Sequence, residues 1–412
     1  MLSRRAVAAL AAASALARPA RGSAQSTPFR IGVLNDQSGV FSSSTGLGSV
    51  VSARMAVQDF GGKLNGRAIE VLVADHQNRP DVGSGLARRW FDIEGVEAAL
   101  DLGNSAIALA VSHLAQDKNK VALVSGSGTT ALTGSACTPN TVQWTYDTWS
   151  TASTLARVLA EEGRKTWFLV TADYAFGHSL QSVVGQTLEL FGGRVVGSAR
   201  HPLPTDDFSS YLVRARQSRA EVVAFANGGD DTTRAIKQAH EFGLTPNQTI
   251  VGLAAMIGDV HGVGLRQASG LLLCESFYWD LNDDTRTFAR RWAQENAGRM
   301  PNMMQAGVYS SVLHYLRAAQ SVFDPSNGAA VVRRMKALPV DDALFGRGRI
   351  RLDGRAALDF HVLRAKPPTR SAGPWDYLDL VRTVSGEQAI RPSAVDACPL
   401  LETQPAAMGM PA

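Results

Sequence analysis

Val121-Ala122-Leu123-Val124-Ser125-Gly126-Ser127-Gly128-Thr129-Thr130, continuing into Ala131-Leu132-Thr133, decides how this chain folds. Four consecutive apolar residues read as a strand buried on both faces, as in a parallel sheet. They run straight into small residues and hydroxyls. In open α/β sheets, ligands sit in the crevice beyond the carboxyl ends of the strands. Gly126 and Gly128 allow the backbone to approach a ligand, while Ser127 and Thr129 offer hydroxyl donors to an anion. The preceding strand ends alike, Ala98-Ala99-Leu100-Asp101-Leu102-Gly103, with Asn104-Ser105 opening a helix. Two such ends side by side read as the floor of a small-molecule site. The competing reading is a pair of Ser/Gly turns with helix N-caps.

Outward from this stretch, strand and helix alternate. A strand over 29–34 ends in Asn35-Asp36-Gln37-Ser38-Gly39, and a helix over 47–60 closes at Gly61-Gly62. A strand over 69–74, a helix over 81–91 and a helix over 105–116 complete a βαβα rhythm, which predicts a parallel sheet covered on both faces. The rhythm restarts with a helix over 151–162. Strands near 166–170, 194–199, 222–225 and 250–253 then alternate with helices over 177–190, 208–217 and 231–242. A strand over 270–280 leads into helices over 284–297, 306–323 and 329–337. Segments 349–352, 357–363 and 375–381 alternate apolar and polar residues, as antiparallel strands do. With 412 residues the chain exceeds one ordinary core, so two domains are expected.

The formal charge of +4 comes from the N-terminus. Arg4, Arg5, Arg18 and Arg21 lie in the first 24 residues with no acid; without them, 41 basic residues become 37, against 37 acidic ones. The rest of the chain is neutral, and no basic run exceeds two residues, which argues against nucleic-acid or membrane-surface binding. Ser3-Arg4-Arg5, the apolar run 6–17 and the small residues Gly22-Ser23-Ala24 read as a secretory signal over 1–24, cut near Ala24. The arginine pair permits either the twin-arginine or the general secretory route. No later segment approaches the ~18 apolar residues of a membrane span. An exported protein meets an oxidising compartment, so three cysteines suggest one disulfide and one thiol. Cys137 and Cys398 lie among Pro and small residues in loops and form the expected pair, while Cys274 follows Leu271-Leu272-Leu273 as a buried thiol.

Enzyme signatures are missing. The chain contains no Gly-x-Gly-x-x-Gly, no phosphate loop and no Gly-x-Ser-x-Gly elbow, and its eight histidines are scattered singly, away from metal-ligand spacing. No cofactor is expected. Acid pairs such as Asp206-Asp207 and Asp283-Asp284 read as N-cap and first-turn charges. Asp230 stands out because it follows the strand 222–225 and Asn227-Gly228-Gly229, again at a strand's carboxyl end. Two aromatic stretches point toward the same crevice. One is Thr171-Ala172-Asp173-Tyr174-Ala175-Phe176-Gly177; the other, Gln143-Trp144-Thr145-Tyr146-Asp147-Thr148-Trp149, lies where the first unit hands over to the second. Together they suggest an aromatic-walled pocket with a polar floor.

These residues, in this order and spacing, resemble the periplasmic solute-binding proteins of ABC importers, in the branch typified by the leucine/isoleucine/valine-binding protein. The likeness rests on Ile31-Gly32-Val33-Leu34, Ser38-Gly39, Asn104-Ser105, 125–129, Asp173-Tyr174-Ala175-Phe176-Gly177, and Ala235-Ile236-Lys237-Gln238-Ala239 with Gly243-Leu244. It spans roughly 29–389. The resemblance implies an α/β fold of two Rossmann-like lobes with parallel central sheets, joined by a three-crossing hinge and closing on one ligand. Lobe I would comprise 28–147 and 277–340, and lobe II 148–276 and 341–390, followed by a loose tail over 391–412. Carried over by position, Asn104 or Ser105, Ser127 and Thr129 would hold a ligand carboxylate. Tyr174 or Phe176, and Asn227 to Asp230, would face it from the other lobe, with Tyr146 at the crossing.

Two departures from the family pattern bear on the ligand. Amino-acid binders place an acid just after the strand matching 250–252, where it grips the ligand's ammonium, but this chain reads Gly252-Leu253-Ala254-Ala255-Met256, with no acid before Asp259. The first-lobe disulfide of some members is also missing, since His76 and Gly103 occupy those positions. The expectation is a monomeric periplasmic binding protein without catalysis, delivering a small carboxylate to an inner-membrane ABC permease. An aromatic, aliphatic or 2-oxo acid is favoured over a free amino acid, with Asp230 as the one alternative ammonium partner. The rival classes are an amino-acid binder, an exported hydrolase, for which no nucleophile–base pair is found, and an exported sensor.

Overall fold

The computed structural model describes residues 27–245, 247–392 and 397–402. The expected signal segment 1–24 and most of the expected tail lie outside these. Six strands form the first sheet: β1 (Phe29–Asn35), β2 (Lys63–Leu64), β3 (Arg67–Asp75), β4 (Val96–Asp101), β5 (Val121–Val124) and β6 (Thr141–Gln143), in the order β2-β3-β1-β4-β5-β6. All its pairings are parallel except the β2–β3 hairpin. The central strands β4 and β5 are buried throughout, as strands with helices on both faces must be, while β3 is only partly covered.

The second sheet takes up β7 (Thr166–Ala172), β8 (Arg194–His201), β9 (Val222–Ala226), β10 (Thr249–Gly252) and β11 (Leu272–Glu275) in parallel. After a small three-stranded sheet of β12 (Val340–Asp342), β13 (Gly346–Ile350) and β14 (Ala356–Ala357), the strands β15 (Phe360–Ala365) and β16 (Leu378–Val384) join it antiparallel. The order is β16-β15-β11-β10-β9-β7-β8. The alternation over 357–363 and 375–381 thus reports true antiparallel strands, displaced by a few residues. Asp259 lies, as expected, in a short helix, Ile257–Val263, whereas the helix Leu265–Ala268 and the strand β6 go beyond the sequence reading, being too short for any periodicity to show.

The chain passes between the sheets after Gln143, returns after Glu275, and crosses again between Ala337 and Phe360. The helices that follow the second passage pack on the first lobe. Trp292 donates its indole N–H to Gly48 O (3.2 Å) and Ser52 Oγ (2.9 Å), and Arg291 pairs with Asp59 at 2.7 Å. The small sheet over 340–357 sits at the third crossing, and only β15 and β16 belong to the second sheet.

Two buried side chains tie the crossings together. Arg355, 1% exposed, pairs with Asp147 Oδ2 at 3.1 Å and donates to the carbonyls of Trp144 (2.9 Å), Gln143 (3.2 Å) and Ala356 (2.8 Å). The third crossing is thereby clamped to the first. At the second, the Glu275 carboxylate accepts the N–H of Ile257 (2.8 Å) and of Met303 (3.0 Å), the first residues of two helices. Helix N-termini favour negative charge, yet burial pushes the Glu275 carboxyl up to about 8. Cys137 and Cys398 are joined by a disulfide with Cα atoms 5.6 Å apart, and Cys274 is a buried thiol.

Candidate functional site

The carboxyl ends of β4 and β5 meet the loop after β1 and the first turns of the second lobe around a cleft of about 500 Å3, open mouth included. Its floor is built by close backbone approach. Asp101 and Leu102 adopt left-handed backbone, φ 75° and 54°, which turns the end of β4 back so that Asp101 O accepts the N–H of Ser125 (3.2 Å) and Gly126 (2.9 Å). A Cβ on Gly126 would lie 2.8 Å from Gly103 Cα and 2.7 Å from Asp101 Oδ1, so only glycine fits. The Asp101 carboxylate lies beneath this floor rather than in it, bonded by Asn35 Nδ2 at 2.9 Å, and burial pushes it up to about 6.

On this floor Ser127 Oγ donates to Ser105 Oγ at 3.3 Å, and Ser105 opens the helix Ser105–Asp117. The backbone N–H groups of Ser127 and Gly128 find no acceptor among the described residues. Thr45 and Ser44 extend the hydroxyl surface from the loop after β1. That loop is shaped by the buried Asp36, whose carboxylate accepts the N–H of Gly39 (2.7 Å) and Phe41 (3.0 Å) and so brings Phe41 into the cleft.

The walls are aromatic and thioether. Gly128 sits between two rings: a Cβ there would be 2.7 Å from Tyr146 Cε2 and 3.0 Å from Phe176 Cε2. Tyr174 stacks on Phe176 with centroids 6.0 Å apart, and its hydroxyl has no partner among the described residues. Burial drives the phenols of Tyr146 and Tyr174 far above their ordinary range, so both remain neutral donors. Met256 and Ala254 come from the second lobe and Met304 from the first. The lobes are in contact here, since a Cβ on Gly229 (φ 63°) would meet Val40 O at 2.5 Å.

Of the residues expected from sequence, Asn104, Ser105, Ser127, Tyr146, Tyr174 and Phe176 all line the cleft. Asn104 spends its Oδ1 on the N–H of Ala106 and Ile107 as a helix cap and its Nδ2 on Asn78. Three expected residues stand elsewhere. Thr129 Oγ1 accepts the Ala131 N–H at the start of a 3-10 turn. Asn227 is turned inward, its Nδ2 on His201 Nε2 (3.3 Å) and its Oδ1 accepting Thr232 Oγ1 (2.8 Å). Asp230 is an exposed first-turn charge of the helix Asp230–Glu241 and does not reach the cleft. Thr129 and Asn227 are claimed by a local cap and by core bonds, and Asp230 by solvent at its helix's first turn, roles that a position after a strand also explains. Phe41, Ser44, Thr45 and Met304 escaped the sequence reading. The hydroxyl-rich run Ser42-Ser43-Ser44-Thr45 after β1 carries the same signal as the ends of β4 and β5, whereas nothing local marks Met304.

The lining residues include no Asp, Glu, Lys, Arg or His. A carboxylate in this cleft meets hydroxyls and amide N–H groups, which suit it well. An ammonium meets no countercharge.

Comparison with known proteins places this geometry. Residues 28–373 match the periplasmic binding protein family. A periplasmic binding protein from Burkholderia mallei is 40% identical and superposes with a TM-score of 0.86 over 90% of this chain and 99% of that one. A branched-chain amino acid ABC transporter periplasmic ligand-binding protein from Burkholderia xenovorans is 37% identical, with a TM-score of 0.83 and the same coverage. Among curated sequences, Leu/Ile/Val-binding protein homolog 6 of Brucella melitensis is 28% identical over 228 residues, 55% of this chain and 57% of that protein, so the match spans little more than half the relative's length. The two lobes, their three crossings and the interlobe cleft are those of the matched family, and the chain belongs to the periplasmic binding protein family.

Proposed function

We propose that this protein is the periplasmic substrate-binding component of an ABC importer of the branched-chain-amino-acid type, and that its cargo is a small carboxylic acid without an α-ammonium group. Aromatic, aliphatic and 2-oxo acids fit this description. The observation that carries the reading is the cleft lining: hydroxyls, amides and aromatic rings with no acidic side chain. Ala254 lines the wall at the point where the resemblance calls for an acid, and Asp259 is occupied capping its own helix through Met256 N–H (2.8 Å) and Thr233 (3.0 Å). Burying an unpaired ammonium costs several kcal/mol, so a free amino acid is penalised on closure. The carboxylate takes Ser127, Ser105 and the free N–H groups of 127–128, and an aromatic ring or chain packs among Tyr146, Phe176 and Met256. The protein makes and breaks no bonds. Its work is to bury the ligand between two lobes and to present the closed surfaces to a permease.

A thermal-shift panel tests this. Ligand at a hundredfold excess over its Kd adds about 2.7 kcal/mol of stability. Benzoate, substituted benzoates and branched 2-oxo acids should supply the stabilising compounds, and leucine, isoleucine, valine and phenylalanine should give little. Strong stabilisation by any of those four amino acids refutes the ammonium argument and assigns the chain to the amino-acid binders.

A further inference from the structure

A second cavity of about 1140 Å3, open mouth included, adjoins the main cleft along the loop after β1. Both lobes wall it: Gln37 and Leu47 from the first, His261 and Trp375 from the second, with Arg299 on the turn after the helix Asp283–Glu295. Its lining includes no acidic residue. Five features there have no part in the main cleft. The imidazole of His261 lies flat on the indole of Trp375, with centroids 4.1 Å apart and planes 9° apart, and its Nδ1 is 3.0 Å from the Tyr377 hydroxyl. Trp375 has φ 70°, a left-handed backbone that a bulky residue adopts only when its surroundings impose it, and such residues cluster at ligand clamps. The Trp279 indole N–H holds the Trp375 carbonyl at 3.1 Å. Gln37 lines the cavity and its Nε2 lies buried there, and neither that Nε2 nor the exposed Arg299 guanidinium has a hydrogen-bond or ion-pair partner among the described residues.

An unpaired guanidinium, an orphaned amide donor and a ring stack, in a cavity without acids, have one ligand chemistry in common. Arginine and amide donors grip a carboxylate, and flat rings stack on planar ligands. We propose that this cavity is a second binding site, taking a small planar carboxylate whose ring packs against the His261–Trp375 stack while its charge meets Arg299 and Gln37. An occupant there touches both lobes beside the mouth of the main cleft and acts as a capture point on the way in. The site requires only an anionic planar ligand and stands whether or not the main cleft takes the same compound.

His261 reports on it directly. Burial and the Arg299 charge hold its imidazole below the ordinary histidine range, so an arriving carboxylate alters its surroundings at once. The full chain is titrated with sodium benzoate while the His261 ring resonances, assigned through His261→Gln, are followed by NMR. A saturable shift is expected, with its midpoint raised at least tenfold in the surface variant Arg299→Gln and unchanged in Ser127→Ala. Absence of a saturable shift overturns the proposal, as does an unaltered midpoint in Arg299→Gln. A midpoint that follows Ser127→Ala also overturns it, because His261 then reports closure over the main cleft; the main-cleft reading survives each of these results.

Discussion

Replacing Arg355 by Met removes the clamp between two of the three crossings while keeping an unbranched side chain in place of the arginine stem. The pair it forms with Asp147 is dry, each side chain 2% exposed. Breaking a buried pair by removing one partner typically costs about 3–5 kcal/mol, because the remaining charge is stranded. Arg355 also serves the carbonyls of Gln143, Trp144 and Ala356, which lose their donor together. The Asp147 carboxylate then retains, among the described residues, only the Ser150 N–H at 2.6 Å. Arg355→Met is therefore expected to cost at least about 3 kcal/mol in urea unfolding. Asp147→Asn keeps the helix cap and the carbonyl bonds of Arg355, including that to Thr145 O at 3.4 Å, and should cost less. In the double variant the stranded charge is gone but the carbonyls stay unserved. Its cost should fall short of the sum of the single variants by about 1.5 kcal/mol or more. An Arg355→Met cost below about 1 kcal/mol, or strictly additive costs, refutes the idea that this pair holds the crossings.

Removing a hydroxyl from the floor should weaken binding without unfolding the protein. Ser127→Ala is expected to lower affinity for the acid chosen by the thermal-shift panel roughly tenfold or more, the worth of one charge-assisted hydrogen bond, and Thr129→Ala to leave it within about twofold; calorimetry showing the reverse order would move the site. Gly128→Ala should impair binding more than stability, since the new methyl must displace the Tyr146 ring by about 0.8 Å to reach ordinary contact; wild-type affinity in that variant contradicts the two-ring wall. For Glu275 the folded carboxyl lies above its unfolded value of 4.5, at about 8, so its protonated form stabilises the fold fully below pH 4.5. That contribution is lost as pH rises toward 8, so Glu275→Gln should gain on the wild type over this window, and parallel stability curves would exclude the linkage. Small-angle scattering should show a smaller radius of gyration in saturating ligand than without it, and identical curves would argue against hinge closure.

The strands were legible because burial on two faces demands uninterrupted apolar runs, and 121–124 and 222–226 supply them within a few residues of sequence. The ends of β4 and β5 were equally legible, since a backbone that must pass close to its neighbour and to a ligand requires the glycines and hydroxyls found there. Which hydroxyl faces the cleft is a different matter. Ser127 and Thr129 look alike in sequence, but the turn that begins at Thr130 captures the Thr129 oxygen and leaves Ser127 on the floor. Asn227 and Asp230 follow a buried strand just as a ligand-binding pair would, yet His201 and Thr232 draw Asn227 into the core and Asp230 stays in solvent on the first turn of its helix. The absence of an acid after β10 could be read directly, because that position lies at a strand end whose register is local. Met304, Glu275 and Arg355 could not, since each acts on groups distant in the chain, and only the packing of two lobes around three crossings brings those groups together.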